Sequence, residues 1–287
     1  MNRFSLVSSA AALSLLALRP LLADPTGETA PPNKSAFHLL KPTPRAQMRE
    51  LSTDRPDQTE SPYTVDAGHF QVEIDFFKLT YDRHGLEGGR SEIWNLAPLN
   101  LKVGLLNNVD LQVVSDNYIS ARTRHPSTRA SGFGDLTTRL KINLWGNDGG
   151  TTAFGLMPFV KLPLDASSLR NGRTEGGLIV PLAVALPGGW NLGLMTEVDL
   201  VRDDADGHDT EWVNSVTLSH DLSGKLGGYV EFFSVVGDAP GFEWQGQVDV
   251  GFTYGLTDSV QFDFGCNFGV TVSAPDYQPF AGLSVRF

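Results

Sequence analysis

From His69 onward, apolar and polar residues alternate with a period of two, the period of a strand whose two faces meet different media. The clearest stretch sets Val260, Phe262, Phe264, Cys266, Phe268 and Val270 against Gln261, Asp263, Gly265 and Asn267. The pattern recurs twelve times, around Phe70, Leu99, Val109, Leu136, Phe154, Leu178, Trp190, Trp212, Leu226, Val248, Val260 and Ala281. Its phase slips at Phe76–Phe77, which predicts a β-bulge. Pro158, Pro163, Pro181 and Pro279 each delete a ladder donor, so they belong at strand ends, edges or bulges.

The connections alternate in length. Residues 82–90, 115–131, 165–174, 203–210 and 237–243 are longer; 106–108, 146–150, 187–189, 221–224 and 256–258 are tighter. In a meander every second connection lies at the same end, so one end carries loops and the other turns. That asymmetry belongs to outer-membrane barrels. Trp94, Trp145, Trp190, Trp212 and Trp244 fall near predicted strand ends, where indoles sit at the headgroup level. The predicted fold is all-β: a transmembrane up-and-down antiparallel β-barrel of about twelve strands, in one domain. A soluble barrel would share the alternation, but its outer face would be rich in Lys and Glu. Here the polar face is Gly, Ser, Thr and Asn with sparse charges.

Ahead of the barrel, residues 1–23 have the layout of a signal peptide: Arg3, an apolar core over 4–18, and Ala23 before Asp24. Cleavage is expected near Ala23, after export; a retained anchor is the alternative, but the stretch is short for a span. Residues 24–66 read as a Pro-rich periplasmic leader, with a segment entering the lumen over 52–62 and room for one helical turn over 45–51. The barrel then occupies 67–287.

Composition narrows the class. Of the 287 residues 41% are hydrophobic and 19% charged, both below the usual shares of roughly 45–50% and 25%, and 30 glycines fill the gap. Aromatics at 10% argue against disorder. No run after the N-terminus approaches the ~18 apolar residues of a spanning helix. A net charge of -11 with no basic stripe argues against nucleic acid. The lone Cys266 excludes an internal disulfide and a thiolate zinc cluster, and reads as a small apolar strand residue. No cofactor is implied.

In a membrane barrel the polar phase faces the lumen. The pore-lining candidates are therefore Glu73, Asp75, Lys102, Asp110, Arg139, Lys141, Lys161, Glu197, Asp199, Glu231, Asp249, Asp263 and Arg286. Basic residues gather on the second, fourth and fifth predicted strands, acidic ones on the first, seventh, ninth, tenth and eleventh. Such a wall would set a transverse field across the pore; the plainer reading is cross-strand pairing. Asp54, Arg55, Asp57 and Glu60, just before the first strand, are candidates for a plug that pairs with the basic wall, or for a solvated tail turning at Pro56. The acidic stretch 203–211 has a loose calcium-loop flavour but lacks the twelve-residue spacing, and a solvated external loop fits it better. Catalysis finds little support. His220 is in the apolar phase, Ser219 is on the opposite face, and no HExxH, GxSxG or phosphate-binding loop occurs.

Several segments carry a family resemblance: "STDRPDQTESPYTVDAGHFQVE" (52–73), "GFGDLTTRLKINLWGN" (132–147), "FVKLP" (159–163), "GGLIVPLAVALPGGWNLGLMTEVD" (176–199) and "GYVEFFS" (228–234). In this order they resemble the outer-membrane transporter family labelled "putative MetA-pathway of phenol degradation". The resemblance runs from about residue 52 to the end. It implies a barrel in the outer membrane of a Gram-negative bacterium, moving small molecules, aromatic compounds among them. A non-transporting structural or surface-binding barrel is the alternative. The implied partners are the bilayer, lipopolysaccharide, small solutes and the barrel-assembly machinery, the last through the strand ending in "FAGLSVRF" at Phe287.

Overall fold

The computed structural model describes residues 33–85, 89–124, 127–163, 173–202 and 207–287; the signal-like stretch and Asp204 and Asp206 of the acidic loop lie outside them. A short 3-10 turn, Arg45–Gln47, precedes fifteen strand segments. They are β1 (Phe70–Gly85), β2 (Gly89–Leu96), β3 (Leu99–Leu106), β4 (Val109–Ser115), β5 (Tyr118–Arg124), β6 (Thr128–Gly132), β7 (Leu136–Trp145) and β8 (Thr152–Leu162). Then follow β9 (Glu175–Ala185), β10 (Trp190–Arg202), β11 (His208–Ser223), β12 (Leu226–Gly237), β13 (Gln245–Thr257), β14 (Val260–Gly269) and β15 (Tyr277–Arg286). Every pairing is antiparallel, and β15 pairs with β1 to close the sheet.

The fifteen segments make twelve crossings. β2 runs into β3, β4 into β5 and β6 into β7, each through a break of two or three residues. At the first break Ala97 has a φ of 53° and Pro98 has no N–H to donate, so the ladder kinks and the inward phase shifts by one. Below the breaks β1, β3, β4 and β7 are neighbours; above them β1, β2, β5 and β6 are. This corrects two connections. Most of 115–131 is paired strand, and the link after β1 is only the few residues before Gly89. Trp94 accordingly lies within β2 rather than at a strand end.

Each irregularity has a local cause. The β1–β15 register shifts between Asp75 and Phe77, where the apolar phase slips. The β7–β8 ladder steps from Arg139–Phe159 to Ile142–Leu156, passing over Pro158. The β8–β9 ladder likewise passes over Pro181, and the β1–β15 ladder over Pro279.

The outer surface is apolar. Leu101, Val160, Leu178, Leu200, Val216, Val230, Phe252, Phe264 and Phe268 are all exposed. In water such a band would be a severe aggregation liability; against acyl chains it costs nothing. Trp145 and Trp190 mark the short-turn end of the band, Trp212 and Trp244 the loop end. His220 is part of the first girdle: its ring stacks on Trp190 at 4.5 Å and its Nδ1 lies 2.9 Å from the Gly189 carbonyl oxygen. The inside inverts ordinary globular burial. Most fully buried side chains are polar, Lys102, Lys141, Gln71, Gln112, Glu231, Asp110 and Asp249 among them.

Residues 33–51 lie at the short-turn end. His38 bridges to Leu106, and Arg49 reaches Asn107 and Asp148 in two of the short turns. Asp66 binds this rim together, meeting Lys34, Arg49 and Arg286 at 3.5, 3.4 and 3.9 Å. The seam is joined to the leader by His69, whose Nδ1 lies 2.9 Å from the Phe287 oxygen and whose Nε2 lies 2.7 Å from that of Thr43.

Candidate functional site

Residues 52–66 leave the rim, rise into the barrel and return to β1, and their side chains touch wall residues all around it. Asp54 is the deepest anchor. Its two carboxylate oxygens pair separately with the ammonium groups of Lys102 on β3 and Lys141 on β7. Its N–H points to Glu73 at 3.2 Å, and Glu73 itself pairs with Lys102. Burial opposes charge on Asp54, but the two ammonium groups outweigh burial and hold its carboxyl well below the ordinary range. The lysines are 2% and 1% exposed, so without these carboxylates they would be desolvated cations with too few counter-ions.

Arg55 turns the other way. Its guanidinium bridges Asp75 on β1 and Asp263 on β14, both at 2.6 Å, and its Cζ lies 5.9 Å from the Phe280 ring. Gly282 on β15 makes the space: a Cβ there would overlap the guanidinium. Gln58 donates from its N–H to Glu231 at 2.8 Å and from Nε2 to Asp249 at 2.8 Å. Thr59 donates to Glu231 at 2.5 Å, and Glu60 accepts from Arg139 at 2.5 Å. On the return, Asn143 donates to the Pro62 carbonyl at 2.9 Å, and Val65 N–H donates to Asp110 at 2.9 Å.

The basic wall thus meets Asp54 and Glu60, whereas Arg55 meets the acidic wall. Asp57 meets no cation among the described residues; it is half-buried facing Glu231, and both desolvation and that neighbour push its carboxyl well above the ordinary range. Lys161 is placed near the loop end, 3.1 Å from Glu175 and 3.7 Å from Asp135. Glu197 and Asp199 share a cavity of about 380 Å³ with Lys161 and Arg139. Arg286 stays at the rim, donating to the Arg49 carbonyl at 2.8 Å. Among the described residues no group of three or more His, Cys, Asp or Glu is arranged to hold a metal ion.

One lumenal feature is not among the charge-based candidates. Met157, Ile179, Met195 and Val213, on the adjacent strands β8 to β11, form a buried apolar cluster on the inner face, extended by Phe159, Phe233 and Val235. Glu60 N–H points at Met195 Sδ, 3.3 Å away. The signal was in the sequence: these residues occupy the inward phase, where Gly, Ser and Thr are the rule. Met195, Val213 and Phe233 border a cavity of about 440 Å³ with Asp57 and Gln58.

A family model described as "Putative MetA-pathway of phenol degradation" matches residues 53–287. The chain belongs to this family. The MetA-pathway match starts within the inserted segment, so that segment is part of the family's common chain and not only the barrel is. Among solved structures the chain is similar to an outer membrane channel from Pseudomonas putida F1. The identity is 12% and the TM-score 0.55, over 82% of this chain and 100% of that one. It is also similar to the NanC porin, at 11% identity and a TM-score of 0.50, over 75% of this chain and 98% of that one. At such identities the likeness is one of fold. A search of curated protein sequences finds no match.

Proposed function

We propose that this protein is a passive outer-membrane channel for small solutes whose lumen is narrowed by residues 52–66. One observation carries the reading: cavities remain inside the barrel on both sides of the inserted segment, about 440 Å³ beyond it and about 180 Å³ beside it. A barrel of twelve strands lies between eight, which side chains fill, and sixteen, which leave an open pore. Here a folded-in segment makes up the difference. The family and the two similar folds support the same reading.

The apolar cluster on β8 to β11 favours amphipathic solutes. An aromatic ring would shed water against Met195, Val213 and Phe233 while its polar substituent stayed hydrated or bonded to Gln58. In this reading residues 1–23 are removed near Ala23 and residues 33–51 remain at the periplasmic end. The external loops meet lipopolysaccharide, and the assembly machinery engages the strand ending at Phe287. Catalysis has no part in it: His220 is committed to Trp190 and Gly189.

The network around Asp54 favours a second reading, a structural barrel whose lumen is sealed. Planar-bilayer conductance and liposome swelling separate the two. A channel conducts, and deleting 52–62 raises its conductance several-fold. A sealed structural barrel stays silent with solutes of any class, with or without residues 52–62.

A further inference from the structure

The inserted segment does not sit centrally. Its carboxylates are drawn to the basic side, where Asp54 and Glu60 meet Lys102, Lys141 and Arg139. Space is left on the opposite side. Two cavities of about 750 and 670 Å³ flank residues 45–51 at the short-turn mouth. A narrower one of about 180 Å³ continues between residues 53–57 and the wall of β11 to β13, sharing Asn191 with the first mouth cavity and Gln261 with the second. It shares Arg55, Pro56 and Asp57 with the cavity of about 440 Å³ beyond the segment.

We propose that solutes and ions pass by this off-centre route, between Arg55–Asp57 and Tyr229, and that the route prefers cations. The inference rests on the channel reading above. Steric confinement comes from the segment: Tyr229 Oη lies 3.4 Å from the Pro56 carbonyl, and its ring occupies the space that Gly251 leaves free. Selectivity comes from charge. Arg55 is the cation of the narrow stretch, and it is tied between Asp75 and Asp263. The exposed Asp221 lines the same stretch, so one guanidinium faces three carboxylates even when Asp57 holds a proton. A second, independent group points inward just beyond: the Oδ1 of Asn267, on a side chain 2% exposed, has no hydrogen-bond partner and borders the outer cavity. A carbonyl oxygen so placed suits a partly dehydrated cation. Lys102 and Lys141 on the other side do not offset this, because they are covered by the segment and neutralised, and Lys78 at the outer cavity stands with two arginines among five carboxyl side chains.

The test is the reversal potential of the full-length mature protein in planar bilayers under a KCl gradient. Wild type is expected to favour potassium over chloride. Asp221→Asn, outside the buried network, should lower the permeability ratio by at least about twofold, and Arg55→Ala should raise conductance by at least about twofold. With Cys266→Ser as background, Thr253→Cys, on the wall of the narrow stretch, should be blocked by a cationic thiol reagent faster than by an anionic one. A chloride-preferring wild type overturns the proposal and leaves the channel reading standing. So does a conducting wild type that neither Asp221→Asn nor Arg55→Ala alters. A silent wild type whose 52–62 deletion conducts overturns it too, since the segment would then seal the lumen. Silence from both brings down the channel reading and this proposal with it.

Discussion

Asp54 and Lys141 are 87 positions apart in the chain, yet their charged groups meet inside the barrel. Lys102 meets the other oxygen of the same carboxylate, so one aspartate ties the inserted segment to two strands. Asp54→Ala would leave two desolvated ammonium groups sharing Glu73 and Asp110. Removing one partner of a buried ion pair typically costs about 3–5 kcal/mol. Most of that cost should fall on insertion rather than on the barrel, whose ladder is untouched. The expected result is a barrel that still migrates as folded in unheated gels, with higher conductance and new protease cleavage within 52–66. An intact segment with unchanged conductance would contradict the assignment.

Of Asp54 and Asp57, it is Asp57 that should make the segment respond to pH above the ordinary carboxylate range, and Glu60, also held up by burial, adds to it. Asp54 is held below its unfolded value, so its contribution is present above that value and is lost only as pH falls through the lower, folded-state one. Asp57 is displaced upward by burial and Glu231. Its contribution is full below the unfolded value and is lost as pH rises through the folded-state one. Raising pH upward from the ordinary carboxylate range should therefore loosen the segment and increase open time. Asp57→Asn should make the profile shallower, and a wild-type profile already flat above that range would refute the argument.

Gly104 sets how closely the leader can approach β3. It donates to the His69 carbonyl at 3.0 Å and accepts from Gly68 N–H at 2.8 Å. A Cβ at this position would overlap the Asp66 carbonyl oxygen, a backbone atom that cannot swing aside. Gly104→Ala should cost about 1–3 kcal/mol, as overpacking does. It would also displace Asp66 from Lys34 and Arg49. The temperature at which the folded band is lost on gels should drop, whereas Gly255→Ala, with open space around it, should leave it unchanged.

How much of this was legible follows from what each face touches. Alternation is plain where one face meets lipid, so the twelve crossings and the inward position of residues such as Lys102, Glu231 and Asp263 can be read directly. The segments β2, β5 and β6 are not legible in that way. In β2 the outward phase holds Arg90 and Glu92 before Trp94 and Leu96, because the ends of these crossings have polar residues on both faces. The kink at Ala97–Pro98 then shifts the phase and hides that β2 and β3 are one crossing. Asp54, Arg55 and Glu60 stand out as charges beside Pro56. Which wall each meets does not, since Arg55 and Glu60 are five residues apart and point to opposite sides. The apolar cluster is masked by its spread: Met157, Ile179, Met195 and Val213 come from four strands and meet only when β8 to β11 pair side by side.

That cluster gives the sharpest test of the solute class. Met195 and Val213 border the cavity beyond the segment, and both are nearly buried among apolar neighbours. Val213→Thr keeps the shape and the strand preference while adding a hydroxyl. Met195→Gln keeps the length and can still accept from the Glu60 N–H. If an aromatic ring sheds water here, the double substitution should weaken that contact by about 1 kcal/mol, roughly a fivefold loss. Swelling of liposomes in a phenol-sized aromatic solute should slow by that factor relative to wild type. Swelling in a sugar of similar size should not, because its hydroxyls gain nothing from the apolar wall. Equal slowing for both solutes would mean that the variants had narrowed the passage. No slowing for either would mean that the cluster packs the segment and never meets the solute.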